Sequence, residues 1–403
     1  MGSALLWERL APFLRVVMIL LLAAASLSAA QTPKPTARAV EKRDARLISD
    51  AQRVANARPL AMYYYVDDAR GIESLRAHAP QMTVLSPQCF WFDSEGFVHG
   101  SVPSPASEIA RRARLPIMPL VVNRGFDRDA VGALLRSTRA QERAITYLAY
   151  LAKRDHYVGW QLDLENVAPA DRNFLTGFVQ RAAARLRREG RLLSLTVVPR
   201  FSDTFPDANH SGEFRTGEWG APYDYCALGR AADFMVVMAY DHYNRNTPPG
   251  PVAGYAWVKE ALEYAARRVP RQKLLLGIPF YSREWIETGQ GITSRSLSFE
   301  DVQALCARPE VETQWDERWR TPWFQFRNGS ALHTVWFEDR RSLAEKLRLM
   351  QQYRLRGFAA WRLGAEDQKF WALVVPGGKS QPAASGRAGK ARTRTSAGRP
   401  ASR

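Results

Sequence analysis

The chain has 403 residues, of which 46% are hydrophobic and 11% aromatic, so it is long enough for one large folded domain or two ordinary ones. Its formal net charge of +17 suits a polyanionic partner, but no zinc-finger spacing or aromatic RNA-binding box is present, so we predict no binding to nucleic acid. The three cysteines are odd in number and widely spaced, and the six histidines form no paired motif. We therefore expect no disulfide framework, no metal site and no cofactor.

An export signal is predicted for residues 1–30. Arg9 and Arg15 precede an apolar run from Val16 to Ala25, and small residues suitable for cleavage follow that run. The run is shorter than the roughly 20 residues of a membrane-spanning helix. We therefore expect an exported protein, periplasmic or extracellular, with membrane anchoring as the alternative if the signal is not cleaved. Residues 31–58 are predicted to be a linker, because prolines and small residues dominate their first part.

Residues 376–403 are predicted to be a disordered basic tail. Seven Lys and Arg residues lie in this segment, and it contains no acidic residue. Such a composition cannot bury an apolar core, and its positive charge favours polyanions as partners.

Strand-like and helix-like segments alternate from residue 60 onward. Apolar, β-branched or aromatic runs predict eight strands, at Leu60–Val66, Met82–Phe92, Leu115–Val122, Tyr157–Val167, Arg191–Val198, Ala232–Tyr240, Lys273–Phe280 and Gly357–Trp361. Helices are predicted at Arg128–Arg136, Arg139–Arg154, Ala170–Arg188, Val252–Arg268, Arg340–Arg354 and Asp367–Leu373. This alternation predicts an α/β fold with a parallel sheet, and closure into a (β/α)8 TIM barrel is the most economical arrangement.

The barrel domain is predicted to span residues 59–375. Residues 281–336 interrupt the alternation with Gly, Thr, Trp and charged residues. We predict that they form a small α+β module inserted after the seventh strand.

The fourth predicted strand carries two carboxylates at its C-terminal end. Gln161, Asp163 and Glu165 share one face of this strand, and apolar residues occupy the other face. The C-terminal ends of the strands are where α/β barrels place their active sites. Two carboxylates in close register also suit acid catalysis, because repulsion between them keeps a proton on one. Alternatively, the pair faces solvent or caps a helix.

Three segments together resemble the signature of glycoside hydrolase family 18, the chitinase-like barrels. The family pattern Asp-Gly-x-Asp-x-Asp-x-Glu corresponds to Val158-Gly159-Trp160-Gln161-Leu162-Asp163-Leu164-Glu165. The sixth strand ends in Met238-Ala239-Tyr240-Asp241, which is similar to the family's Met-x-Tyr-Asp motif, and the eighth ends in Ala360-Trp361. The resemblance covers nearly all of residues 59–375 and is strongest to the bacterial branch that includes spore-cortex lytic N-acetylglucosaminidases.

The resemblance implies retaining hydrolysis of β-1,4-linked N-acetylglucosamine glycans, assisted by the 2-acetamido group of the substrate. Glu165 would be the general acid and base, Asp163 would orient the acetamido group, and Tyr240 would donate a hydrogen bond to it. Trp361 would lie beneath the scissile sugar, or else be an ordinary core residue. The implied partner is a peptidoglycan or chitin-type polysaccharide, and the basic tail would contact an anionic cell wall. We expect a monomer.

Three more residues are candidates for the substrate site. Asp241 would bind sugar hydroxyls or cap the following loop, and Met238 would pack beside the site. Gln161, where the family has its middle Asp, would hydrogen-bond Asp163 without carrying charge, and Val158 replaces the outermost Asp. These departures leave open a second function, a barrel that binds such glycans without cutting them, although the presence of Glu165 favours an enzyme.

Overall fold

The structure, a computed structural model, describes residues 50–203 and 217–374. Eight parallel strands of this region form a closed barrel. The barrel closes because the first strand of the chain pairs with the second as well as with the last. The predicted TIM-barrel fold is confirmed. The strands in chain order are β1 (Leu60–Tyr65), β2 (Val84–Phe92), β3 (Val98–Gly100), β4 (Leu120–Asn123), β5 (Gly159–Asp163), β6 (Leu192–Val197), β7 (Phe234–Val237), β8 (Leu274–Pro279), β9 (Ser282–Thr288), β10 (Gly291–Leu297), β11 (Gln314–Asp316), β12 (Thr321–Asn328), β13 (Ala331–Trp336) and β14 (Gly357–Trp361).

Helices surround the barrel and connect its strands. They are α1 (Ala69–His78), α2 (Ser104–Ala113), α3 (Arg128–Arg136), α4 (Thr138–Arg154), α5 (Arg172–Arg188), α6 (Tyr225–Ala231), α7 (Tyr255–Ala266), α8 (Phe299–Cys306) and α9 (Arg340–Gln352). Side chains of Asp127 and Ser137 cap the N-termini of α3 and α4 by accepting hydrogen bonds from backbone N–H groups of the first turn. The sequence patterns did not predict α1, α2, α6 or β3.

The order of strands around the barrel determines which side chains can meet at its mouth. It runs β1, β2, β4, β5, β6, β7, β8, β14 and back to β1, while β3 pairs antiparallel with β2 outside the ring. The strand β5 therefore has β4 and β6 as its neighbours and lies opposite β14. Gly159 allows β5 to approach β6 closely, since a Cβ atom there would lie 2.0 Å from the carbonyl oxygen of Leu192.

The two faces of each barrel strand are buried in different places. Tyr64 points into the barrel with an interior cluster that includes Leu60, Met62, Val84, Leu120, Phe234 and Leu275. Tyr63 points outward and contacts the rings of Phe280, Phe358 and Trp371. Of these two neighbouring tyrosines, Tyr64 therefore faces the barrel interior.

The inserted module is a five-stranded antiparallel sheet with one helix. Its strands are β9 to β13, and α8 packs on them over a separate apolar core that includes Val302, Phe324 and Val335. Arg70 of the barrel forms ion pairs with Glu300 and Asp301 of the module, at 3.0 and 2.9 Å. The module therefore forms one wall beside the barrel mouth.

The predicted linker boundary is wrong at its C-terminal end. Residues 50–56 are helical, and Ala51 and Val54 are buried with the interior cluster of the barrel. The guanidinium of Arg356 donates hydrogen bonds to the carbonyls of Val54 and Ala55, at 3.1 and 2.7 Å. This segment therefore belongs to the folded domain.

The predicted signal, the first part of the linker and the basic tail lie outside the described residues. Within residues 50–203 and 217–374, no helix is both long and apolar enough to cross a membrane.

Candidate active site

The strand β5 delivers Asp163 to the mouth of the barrel. Its side chain faces the interior, is 5% exposed, and accepts a short hydrogen bond from the hydroxyl of Thr196 on β6. Burial raises the pKa of Asp163 above its ordinary value, and the hydrogen bond from Thr196 opposes that shift. Asp163 is therefore a shielded carboxyl with a fixed orientation.

Glu165 follows the end of β5 and is held through its backbone. The side-chain amide of Asn123, at the end of β4, accepts a hydrogen bond from the N–H of Glu165 and donates one to its carbonyl, both at 2.9 Å. The next residue, Asn166, has φ of 54°, a left-handed conformation that Asn adopts more readily than most residues. The chain thus turns sharply just after a fixed Glu165.

The surroundings of Glu165 favour its protonated form. Burial is the main cause that raises the pKa of Glu165 well above its ordinary value, and the negative charges of Asp163 and Asp241 raise it further. Among the residues that the structure describes, none donates a hydrogen bond to this carboxyl. A carboxyl whose pKa is raised by burial and by neighbouring carboxylates is typical of a general acid.

Tyr240 reaches the same centre from the loop that follows β7. Burial raises the pKa of its phenol well above the ordinary value, with further contributions from Tyr64, Asp163, Tyr281 and Glu165. The phenol therefore remains a hydrogen-bond donor. Its ring fits because Gly277 on β8 has no side chain, since a Cβ atom there would lie 3.0 Å from a ring carbon of Tyr240.

Asp241 lies beside Tyr240 and has two partners on the segment after β8. The hydroxyl of Tyr281 donates a 2.5 Å hydrogen bond to Asp241, and the guanidinium of Arg283 lies 3.8 Å from the same carboxyl oxygen. Asp241 adopts φ of 57°, and its side chain remains 52% exposed. Partial desolvation at the cavity wall raises the pKa of Asp241, while Tyr281 and Arg283 oppose the shift.

A cavity of about 620 Å³ extends from Asp241 and Trp361 toward the inserted module. Tyr281, Arg283 and Arg362 also line it, but neither Glu165 nor Asp163 does. The cavity therefore lies beside Glu165 and Asp163, on the side of β14. Trp361 forms part of the cavity wall and packs against Tyr64, with ring centroids 5.4 Å apart.

The structure places Gln161 differently from our expectation. Its amide donates a 2.8 Å hydrogen bond to the hydroxyl of Tyr64, while Asp163 is bonded to Thr196 instead. Gln161 is wholly buried inside the barrel, below Asp163, so it has no surface that a glycan could contact. The expected pairing of Gln161 with Asp163 is therefore wrong.

The remaining candidate, Met238, and the module residue Trp285 occupy simpler positions. Met238 is buried in the main core near the mouth, as packing beside the site requires. Trp285 is also buried, and its indole N–H donates to the carbonyl of Thr247, so it belongs to the joint between the module and the loop after β7. Among the described residues, no group of three or more His, Cys, Asp or Glu side chains is placed to hold a metal ion.

Sequence patterns missed four residues of this site. Asn123 was detectable, because it is a polar residue at the end of an apolar strand, the same signal that singled out Glu165. Thr196, Tyr223 and Arg283 gave no such signal. Tyr223 donates a 2.7 Å hydrogen bond to the carbonyl of Leu164 and so supports the catalytic strand from the loop after β6.

Comparisons with known proteins found one family model and several similar proteins. The model of Glycosyl hydrolases family 18 matches residues 125–366. The chain is 30% identical to the cortical fragment-lytic enzyme of Bacillus cereus over 316 residues, 75% of this chain and 70% of that protein. The structure resembles the spore cortex-lytic enzyme SleL of Bacillus megaterium, with a TM-score of 0.71 and 25% identity over 79% of this chain and 74% of that one. It also resembles a chitinase from Chromobacterium violaceum, with a TM-score of 0.71 and 31% identity over 79% of this chain and 98% of that one.

Proposed function

The chain belongs to the glycosyl hydrolases of family 18, and we propose that it cuts β-1,4-linked N-acetylglucosamine glycans of the peptidoglycan or chitin type. Family membership makes the protein a glycoside hydrolase. The proposal adds the substrate and a retaining mechanism in which the substrate's own acetamido group is the nucleophile. The observation that carries it is the position of Glu165, whose pKa is raised by burial and by nearby carboxylates, directly after the strand that ends in the shielded Asp163.

The first step forms a bond from the acetamido oxygen to the anomeric carbon. The bond from that carbon to the leaving oxygen breaks, and the proton of Glu165 moves to the leaving oxygen. Asp163 orients the acetamido group and stabilises the positive charge that develops on it, while Tyr240 donates a hydrogen bond to its oxygen. These roles are supported by the charge of Asp163, which raises the pKa of both Glu165 and Tyr240.

The second step opens the cyclic oxazolinium intermediate. Glu165, now ionised, removes a proton from water, and the water oxygen bonds to the anomeric carbon as the bond to the acetamido oxygen breaks. Two displacements at one carbon give net retention.

The substrate class rests on relatives and on the cavity. A cortical fragment-lytic enzyme and a chitinase are among the similar proteins, and both names point to polymers with N-acetylated sugars. Trp361 and Asp241 supply an aromatic surface and a carboxylate to the cavity wall. Rings of this kind bind the apolar face of a sugar, and carboxylates accept hydrogen bonds from hydroxyls.

We further propose that the protein is exported, on the pattern of residues 1–30. A reporter enzyme that is active only outside the cytoplasm, fused after residue 40, would be active if this is correct. The monomeric state and the contact of the basic tail with a cell wall stay predictions.

The catalytic proposal is tested with the protein and its Glu165→Gln variant. Both are incubated with N-acetylglucosamine oligomers and with purified peptidoglycan, and products are analysed by mass spectrometry and by NMR of the new anomeric centre. We expect cleavage with retained configuration by the protein and none by the variant. Binding of glycans by both forms without cleavage would support the alternative, a glycan-binding barrel, and inverted products would contradict the mechanism.

A further inference from the structure

The end of the barrel opposite the mouth carries many exposed cations. It is formed by the helical segment 50–56 and by the connections that lead into the eight barrel strands, and we call it the basal face. The exposed arginines on it are Arg53, Arg58, Arg114, Arg267, Arg271 and Arg354. The last turns of the helices that end at this face add further exposed cations, among them Lys153, Arg188 and Arg230.

Acidic side chains do not offset these cations. Among the described residues, no Asp or Glu of the basal face is exposed. The acids that it contains are half-buried and each lies within 4 Å of an arginine at the same end, as Asp155 does with Arg154 at 2.7 Å. The connections that follow the strands show the opposite pattern, since their exposed acids include Asp67, Glu95, Asp127, Glu218 and Asp241. Charge is thus distributed unevenly along the barrel axis, with exposed carboxylates at the mouth only.

Helix ends explain part of this distribution. A cation in the last turn of a helix interacts favourably with the partial negative charge of the helix C-terminus. That effect does not account for Arg271, which lies in the connection beyond α7, or for the absence of exposed carboxylates from the basal face. The cations also act on one another, because the pKa of Arg356 is lowered to about 10 by burial and by the charge of Arg58, with Asp233 opposing the shift. Such repulsion is relieved when an anionic partner covers the surface.

The basal face is also where the folded domain joins the N-terminal part of the sequence. Ala51 and Val54 belong to the interior cluster that contains Leu60 and Phe234, the first residues of β1 and β7, so the segment 50–56 closes this end of the barrel. In the sequence, residues 26–49 carry five Lys or Arg and two acids, and the apolar run of residues 16–25 precedes them. An apolar segment combined with a basic patch is how many proteins bind anionic lipid surfaces.

We propose that the basal face docks on an anionic lipid membrane. The cations of this face then lie against the lipid headgroups, and no exposed carboxylate of the described residues opposes the contact. Docking in this orientation points the mouth away from the lipid, so that Glu165 and Asp163 remain accessible to a polymer. The inference concerns where the enzyme works, and it does not depend on which glycan it cuts.

The first test measures binding of the full chain to vesicles by cosedimentation. Vesicles of phosphatidylglycerol and phosphatidylcholine in equal parts are compared with vesicles of phosphatidylcholine alone. The face variant loses three cations of the basal end, through Arg188→Gln, Arg230→Gln and Arg271→Gln. The matched control loses three exposed cations elsewhere, on the first turns of α4 and α9 and on β12 of the module, through Arg139→Gln, Arg341→Gln and Arg327→Gln.

We expect the face variant to bind the anionic vesicles about a hundredfold more weakly, because each cation near an anionic lipid surface contributes roughly fivefold in affinity. The control variant should bind as the unmodified protein does. Hydrolysis of N-acetylglucosamine hexamer should be the same in all three proteins, since neither set of substitutions lies at the catalytic residues. Equal losses of vesicle binding in the two variants would mean that only total charge matters and would overturn the inference, as would no loss in the face variant.

The second test measures orientation, since the apolar run or the basic tail could hold the protein to vesicles without the basal face. The photo-crosslinking residue p-benzoylphenylalanine replaces Gln272 on the basal face or Ser94 in the turn after β2, both of which are exposed. On irradiation of vesicle-bound protein, we expect lipid adducts from position 272 and none from position 94. Equal adducts from both positions, or none from 272, would overturn the inference.

Sedimentation with purified peptidoglycan covers the other class of anionic partner. A face variant that loses binding to peptidoglycan but keeps its binding to anionic vesicles would show that the basal face contacts a wall polymer, and the membrane inference would then be wrong.

Discussion

The side-chain amide of Asn123 pairs with both backbone groups of Glu165, accepting from its N–H and donating to its carbonyl at 2.9 Å each. The regular pairing of β4 with β5 ends at Val122 and Asp163. A primary amide carries the same donor and acceptor as a peptide group, so Asn123 continues the sheet by one step through a side chain. The position of the catalytic acid thus depends on a neighbouring strand.

Replacing Asn123 by Ala should lower kcat about a hundredfold and change KM little, because a shift of roughly 1 Å in a catalytic group has that effect. Steady-state kinetics on the N-acetylglucosamine hexamer measures both constants. Asn123→Asp is the matched variant, since it still accepts from the N–H of Glu165 but, when ionised, cannot donate to the carbonyl. An unchanged kcat in the Ala variant, with the protein folded, would show that the contact is dispensable.

The pH dependence of the rate should follow the charges around Glu165. Its pKa is raised by burial and by Asp163 and Asp241, and the active form is protonated, so activity should fall as pH rises through that pKa. Asp241→Asn removes one raising charge and should move this alkaline limit to lower pH. The midpoint of kcat/KM against pH measures it, and an unmoved or higher midpoint would contradict the assigned cause.

The same raised pKa predicts a cost in stability. A carboxyl whose pKa is higher in the folded than in the unfolded chain lowers the free energy of unfolding as pH rises. The loss runs from the unfolded-state pKa to the folded-state pKa. Glu165→Gln should therefore raise the thermal midpoint at pH 7 and above, and the gain should shrink toward pH 4. Calorimetry at several pH values measures this, with Glu142→Gln as control, because Glu142 lies on the outer helix α4. A gain independent of pH would disagree with the electrostatic cause.

Strand alternation and three short motifs predicted most of the fold and the central residues of the site. The barrel strands were recognisable because each is an apolar run, and Glu165, Asp163 and Tyr240 because they end such runs. Their electrostatic coupling follows from the closure of the barrel, which brings the ends of β5 and β7 to one rim. The apolar runs and the polar residues that end them can each be recognised in the sequence of a single strand.

Contacts between strands were not predictable in the same way. Thr196 meets Asp163 only because β5 and β6 have a particular register, in which Leu162 pairs with Leu195. Gln161 bonds Tyr64 from across the barrel interior, so its sequence neighbour Asp163 was the wrong partner to expect. Residues 50–56 looked like linker because their two buried apolar side chains are too few to show a period.

The position of Gln161 leads to a last prediction, on restoring an acid beneath Asp163. Gln161 is wholly buried, and in the described part of the chain its carbonyl oxygen has no hydrogen-bond partner. Gln161→Glu keeps the size but buries a carboxyl, whose raised pKa should make the loss in thermal midpoint larger at pH 8 than at pH 4. Gln161→Met is the neutral control, and equal losses at both pH values for the two variants would refute the argument.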